Sequence, residues 1–249
     1  MCPEIFGIDS YALMCAIGLA AACTFVIMRR ERLANTVGNI AWPIVSALVG
    51  LVIGAKLLFF ITRIPALAAM HATFDMYIKE LVEAGYVFYG GVLGAYAGLL
   101  VFCRITWAPS GHVLNFFTPA FALFHGFGRI GCFCAGCCYG VEVKVHGIVM
   151  NGVQRLPVQL FESIFEFLMF AGLLIVERQT EKKKKSPKLS FYYLMIYSLF
   201  RFSIEFVRGD EIRGFWGPLS TSQWIALIIL VAGLVKYFVR DRLLSRVAE

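Results

Sequence analysis

Charge is what this chain has least of. Only 16% of its 249 residues are Asp, Glu, Lys or Arg, against 59% hydrophobic residues, and the mean hydropathy is +0.76. A soluble domain carries about a quarter of its residues charged, so that class is excluded. The first apolar run also lacks the basic leader of a cleaved signal peptide: Glu4 and Asp9 precede it, and Arg29, Arg30 and Arg32 follow it. That order predicts an uncleaved first helix with the N-terminus outside. No internal repeat, no linker between soluble domains and no broken-helix pair is visible, which argues against an alternating-access transporter. Cysteine is present, but not as two separated pairs: Cys132, Cys134, Cys137 and Cys138 fall within seven residues and contain one C-x-x-C, Cys134 to Cys137. Four thiols that close can hardly all reach one tetrahedral ion, so no metal site and no cofactor are expected.

What is present is a series of apolar runs approaching the roughly 20 residues of a bilayer-spanning helix. Seven spans are expected, at about 10–28, 40–61, 86–103, 112–131, 158–176, 189–206 and 221–239. The fold class is all-α, a polytopic integral membrane protein forming one domain over 1–249, with its C-terminus cytoplasmic. The basic residues support that orientation. Inner loops and the tail hold 14 of them (Arg29, Arg30, Arg32, Arg104, Arg178, Lys182 to Lys185, Lys188, Lys236, Arg240, Arg242, Arg246). Outer loops hold 6 (Arg63, Lys79, Lys144, Arg155, Arg208, Arg213), as the positive-inside rule requires. The net charge of +7 therefore implies no nucleic-acid partner, and the lysine run reads as an anchor near anionic lipid. The longer loops, 62–85 and 132–157, fall outside.

Ionisable groups inside a span are costly and face a partner, a cavity or a pathway. Lys56 is close enough to a boundary to snorkel. Arg129 stands between Gly128 and Gly131 in HGFGRIGCFCAGCCYG (125–140), where the uncrowded backbone is free to leave helical geometry. In RFSIEFVRGD (201–210), Arg201, Glu205 and Arg208 stand at i, i+4 and i+7, on one helical stripe. Two readings stay open there: an internal salt bridge closing the sixth span, or a carboxylate that orients two guanidiniums and leaves net positive charge for a phosphate. The topology assigns Arg129 to the same face, which points to a phosphate-bearing lipid. Gly90, Gly91, Gly94 and Gly98 stripe the third span and favour close helix packing; the outermost pair, Gly90 and Gly91, is also placed to meet a headgroup.

These segments resemble a known family. GRIGCFCAGCCYG resembles the signature of the prolipoprotein diacylglyceryl transferases, and RFSIEFVRGD looks like their arginine motif. SYALM (10–14), FYGGVLG (88–94), LPVQLFE (156–162) and STSQW (220–224) are similar to further family segments, in family order over most of the chain. The resemblance implies an enzyme of the bacterial plasma membrane, working toward the outer leaflet. It would move a diacylglyceryl group from phosphatidylglycerol to the lipobox cysteine of preprolipoproteins and release glycerol-1-phosphate. It implies that Arg129 binds the lipid phosphate, that Arg201 and Arg208, held by Glu205, stabilise the departing phosphate, and that Tyr11, Gln159 and Gln223 give supporting contacts. The sequence also departs from the family. Cys132, Ala135 and Cys137 replace two asparagines and a glutamate, Lys56 replaces an arginine, and Tyr89 replaces the histidine of His-Gly-Gly. Tyrosine titrates near pH ~10 and is a poor base, so Tyr89 is expected to donate a hydrogen bond. The acceptor's proton would go to Glu205, His125, His146 or water. Two alternatives remain: a divergent paralogue acting on another acceptor, and a membrane thiol-redox protein using Cys134 and Cys137.

Overall fold

The computed structural model describes residues 4–5, 7–71, 73–83, 88–150, 152–210 and 214–247, without the side chains of 5, 65–66, 83, 88–89 and 240–247. The chain is mostly helical. A short hairpin of β1 (Glu4–Ile5) and β2 (Ile8–Asp9) leads into α1 (Ser10–Met28), followed by α2 (Glu31–Val37), α3 (Ala41–Ala69), α4 (Phe74–Glu83), α5 (Phe88–Thr106) and α6 (Ser110–Ala135). A hairpin of β3 (Ile148–Met150) and β4 (Val153–Arg155) separates α6 from α7 (Val158–Lys182) and α8 (Leu189–Ile204). A 3-10 turn, Glu205–Val207, and a hairpin of β5 (Phe215–Trp216) and β6 (Leu219–Ser220) lead to α9 (Thr221–Val247). The chain forms two compact units, Cys23–Phe117 and Met1–Ala22 with Thr118–Glu249.

Every expected span coincides with a helix, but among the described residues only four helices are long and apolar enough to cross a bilayer: α1, α3, α7 and α9. The others fall short for identifiable reasons. α8 has 16 residues, and α6 carries His112, Asn115, Thr118, His125 and Arg129.

In the unit Cys23–Phe117, α3 and α5 meet through glycine. A Cβ on Gly94 would run into the carbonyl oxygen of Gly50, and one on Gly90 into that of Gly54. Ser46 Oγ donates to the Gly98 carbonyl at 2.7 Å, joining the two backbones where they approach. Gly90 thus spends its bare face on Gly54, whereas a Cβ on Gly91 would meet only ordinary contacts at 3.5 Å and beyond.

The expected outer loop 62–85 is largely helical instead. α3 continues to Ala69, and α4 folds back along it on its half-buried Tyr77 and Glu80, while Phe74, Ile78 and Leu81 stay exposed. Arg63 Nε meets Glu80 Oε1 at 2.8 Å, Phe60 packs edge-on to Tyr77, and Lys56 Nζ donates to the Val82 carbonyl at 2.5 Å. Lys56 therefore reaches along its stem to a helix end.

In the other unit, Ala122, Leu173, Leu189 and Tyr193 form a buried cluster joining α6, α7 and α8. Phe165 stacks on Phe200 at 3.7 Å, and Ser163 Oγ donates to the Gly126 carbonyl at 2.9 Å. Gly126 allows this approach: a Cβ there would press on the Phe167 ring at 2.9 Å.

The α3–α5 contact should be the most substitution-sensitive surface of its unit. Gly94→Ala is expected to cost roughly 1–3 kcal/mol through overpacking against backbone. Gly91→Ala should be near neutral. Thermal unfolding of both variants in detergent checks this, and equal midpoints would contradict it.

Candidate active site

Arg129 sits in the last third of α6, which remains a regular helix to Ala135. The expected departure from helical geometry does not occur, and of the two glycines only Gly131 serves packing. A Cβ on Gly131 would crowd Met14 and Tyr11 of α1 at 3.1–3.2 Å, while Gly128 faces open space. Tyr11, the second residue of α1, thus backs α6 at Gly131.

Buried arginine needs a counter-charge, and α7 supplies it. Glu162 is 1% exposed, Arg129 7% and Arg201 5%. Glu162 Oε2 pairs with Arg129 Nη2, while its Oε1 accepts from Arg201 Nη1 at 2.5 Å. On its other side Arg201 Nη2 meets Glu205 Oε2 at 2.9 Å and Ser222 Oγ at 3.5 Å. Glu205 Oε2 then lies 3.8 Å from Arg208 Nη1. The charges alternate along this line, from α6 through α7 and α8 into the turn beyond.

The expected stripe ends earlier than its spacing implies. α8 stops at Ile204, and Arg208 is extended at φ −80°, ψ 137°. Its guanidinium forms a fork on Asp210, Nε to Oδ1 at 2.7 Å and Nη2 to Oδ2 at 3.0 Å. Three arginines therefore face three carboxylates, Glu162, Glu205 and Asp210, and the anticipated net positive charge is offset. One donor stays over: among the described residues, buried Arg129 Nε has no hydrogen-bond acceptor. An uncommitted, charged donor in a buried site is placed to receive an anionic oxygen.

A second buried set lies one turn deeper. His125 Nδ1 is 2.8 Å from Glu166 Oε1, Tyr193 donates to Glu166 Oε2 at 3.2 Å, and Tyr197 packs edge-on to His125. His125 is thus engaged with a carboxylate.

Two glutamines hold local structure at this end of the unit. Gln159 Nε2 donates to the Cys137 carbonyl at 2.7 Å and so fastens the loop after α6. Gln223 Oε1 accepts from Ser220 N at 2.9 Å while Ser220 Oγ accepts from Gln223 N at 3.2 Å. That reciprocal pair is a capping box opening α9. Gly90 and Gly91 lie in the other unit, as does Tyr89, whose side chain falls outside the described residues.

The loop beyond α6 is sewn to the segment carrying Arg208. Val141 N donates to the Val207 carbonyl at 2.9 Å, Gly209 N to Tyr139 at 3.0 Å, and Gly140 N to Leu156 at 3.0 Å. Within this frame the thiols regroup. Sγ of Cys132, Cys137 and Cys138 all lie within 4.8 Å of one another, and Cys134 of the C-x-x-C pair does not belong to that group. Of the two thiols expected for redox chemistry, only Cys137 belongs to the group. Cys138 is held well below the ordinary thiol value by hydrogen bonds from Cys132 and Cys137, against its burial, with the charges of Arg129 and Arg208 adding to the effect.

Comparison with known proteins places the chain in a family. The family profile described as prolipoprotein diacylglyceryl transferase matches residues 3–239. The chain belongs to that family. A phosphatidylglycerol–prolipoprotein diacylglyceryl transferase of Clostridium tetani is 33% identical over 241 residues, 93% of either chain. One of Clostridium perfringens, named with the suffix 2, is 33% identical over 245 residues, covering 94% of this chain and 92% of its own. One of Finegoldia magna is 29% identical over 242 residues, covering 93% and 92%.

Sequence reasoning missed the role of Glu162, although its signal was there. VQLFESIFEF places Glu162 and Glu166 four residues apart in an apolar span, where an ionisable side chain demands a partner. Removing the shared carboxylate leaves two buried guanidiniums short of charge, and breaking one buried pair costs about 3–5 kcal/mol. Glu162→Gln should therefore lower the unfolding midpoint in detergent well below the wild type. Adding Arg129→Gln should recover part of the loss, as coupled neighbours do. Strict additivity of the two changes would contradict the shared bridge.

Proposed function

We propose that this chain transfers the diacylglyceryl group of phosphatidylglycerol to the lipobox cysteine of preprolipoproteins, forming a thioether and releasing glycerol-1-phosphate. Family membership over nearly the whole chain supports the reaction class. The observation that carries the site is the buried Arg129–Glu162–Arg201–Glu205–Arg208 line with Arg129 Nε left over. In this reading Arg129 receives the lipid phosphate. Arg201 and Arg208, kept charged and oriented by Glu205, stabilise the second negative charge that develops as the glyceryl carbon–oxygen bond breaks. Because the guanidiniums are already fixed by carboxylates, little reorganisation is needed as that charge appears.

The same proposal has all seven helical segments crossing the bilayer as one transferase domain over 1–249, with the N-terminus outside, the C-terminus cytoplasmic and the site toward the outer leaflet. Basic-residue asymmetry and the apolar helices support it.

The test uses purified protein, phosphatidylglycerol and a lipobox peptide, with the adduct on the peptide cysteine read by mass spectrometry. Loss of one charge-stabilising donor is worth about 10²–10³ in rate, and Arg129→Ala and Arg201→Ala should each fall by that order or more. Arg129→Lys should recover little, since a single ammonium does not reproduce the fork. Full activity in folded Arg129→Ala would overturn the phosphate assignment.

A further inference from the structure

The three gathered thiols are built by the end of α6, not scattered near it. Gly136 adopts φ +73°, its N–H bonds the Phe133 carbonyl at 3.2 Å, and Cys137 N–H bonds the Cys132 carbonyl at 3.1 Å. That pair of bonds is a Schellman closure, which folds Cys137 back over Cys132. Cys138 comes next at φ +58°, a left-handed conformation that costs a non-glycine residue roughly 1–2 kcal/mol. The strain turns its side chain toward the same point, and Gln159 holds the loop by the Cys137 carbonyl. Strain retained where three reactive side chains converge points to function at that place.

We propose that Cys132, Cys137 and Cys138 bind a thiophilic cation of the Zn²⁺ class, with its fourth position open to the acceptor cysteine. Zinc–sulfur bonds of about 2.3 Å set tetrahedral sulfurs about 3.8 Å apart, so thiols already within 4.8 Å need shift by roughly an ångström or less. Three thiolates and a dication sum to one negative charge, and Arg129 Nη1 lies 3.7 Å from Cys132 Sγ to offset it. The carbonyl end of α6 also favours a cation. Cys137 is exposed and Cys132 buried, which gives the site an entry path and a dry floor.

The chemistry rests on the transferase reading. His125 is tied to Glu166 and Glu205 to Arg201, so neither is a ready base for an incoming thiol. A metal-bound thiol is deprotonated outright and needs none. The acceptor thiol passes its proton to water on binding, and the thiolate pair forms the new bond to the glyceryl carbon. The carbon–oxygen bond to phosphate breaks with its electrons going to the phosphate. No oxidant or reductant enters.

Cobalt(II) is the probe, added to full-length reduced protein in detergent. One Co²⁺ per chain should bind with thiolate charge-transfer absorption. Cys132→Ser and the surface variant Cys137→Ser should each weaken binding by more than about tenfold, while Cys134→Ser leaves it unchanged. A cysteine-containing lipobox peptide should shift the cobalt spectrum, and its serine counterpart should not. No binding, binding indifferent to Cys137→Ser, or a spectrum indifferent to the cysteine peptide each overturns the proposal. So does adduct formation at full rate by metal-stripped protein, which would leave the transferase reading standing. Absence of adduct in both metal-loaded and stripped protein would instead sink the transferase reading, while the cobalt titration still decides the site.

Discussion

One carboxylate holds this unit's chemistry in place. Glu162 is shared between Arg129 of α6 and Arg201 of α8, and all three groups are nearly sealed from solvent. A guanidinium cannot lose its charge at any ordinary pH, so a buried one must be matched by geometry. Sharing one glutamate between two arginines fixes three helices at the depth of the pair. The remaining charges are arranged around that choice. Arg201 leans on Glu205, Glu205 reaches Arg208, and Arg208 is drawn out of the helix onto Asp210. The segment around Arg208 then pairs with the loop beyond α6, and that loop carries Cys137 and Cys138.

The fold is largely legible in the sequence because apolar run length is a one-dimensional property. Helices stand at every expected span, and the glycines of the third span do form a packing surface. What escapes is tertiary or local. The segment of α4 reads as loop because its charged residues interrupt the apolar pattern, and its partners, Arg63 for Glu80 and Phe60 for Tyr77, lie on α3. Gly90 and Gly94 look alike in sequence; only their approach to Gly54 and Gly50 shows that both serve the same contact.

The site is legible where partners are close in sequence. Arg201 and Glu205 meet as their i, i+4 spacing dictates, and Arg208 stays near despite the helix ending. Glu162 is not legible as a bridge, because nothing in LPVQLFE says which helices will stand on either side of it. Gln159 and Gln223 are polar residues in similar settings, yet one pins a carbonyl and the other caps a helix. The cysteines mislead in a different way. A C-x-x-C spacing suggests Cys134 with Cys137, but the Schellman turn at Gly136 sends Cys137 back to Cys132 and leaves Cys134 aside.

A balanced charge line has a consequence for a phosphate-leaving reaction of the kind proposed. Three bare arginines would grip any anion, including the product, and would bind the lipid diester almost as tightly as the transition state. Binding that is equal in ground and transition states does not raise the rate of the chemical step. Here carboxylates match the guanidiniums one for one, and the uncommitted Arg129 Nε is one donor for an incoming anion rather than a cage of them. A diester with one charge meets a site that is already satisfied. A departing phosphate gaining a second charge can compete with Glu162 and Glu205 for the same arginines, so its attraction grows as the bond breaks. The carboxylates that make buried arginines tolerable would thus also keep the ground state from being held too tightly.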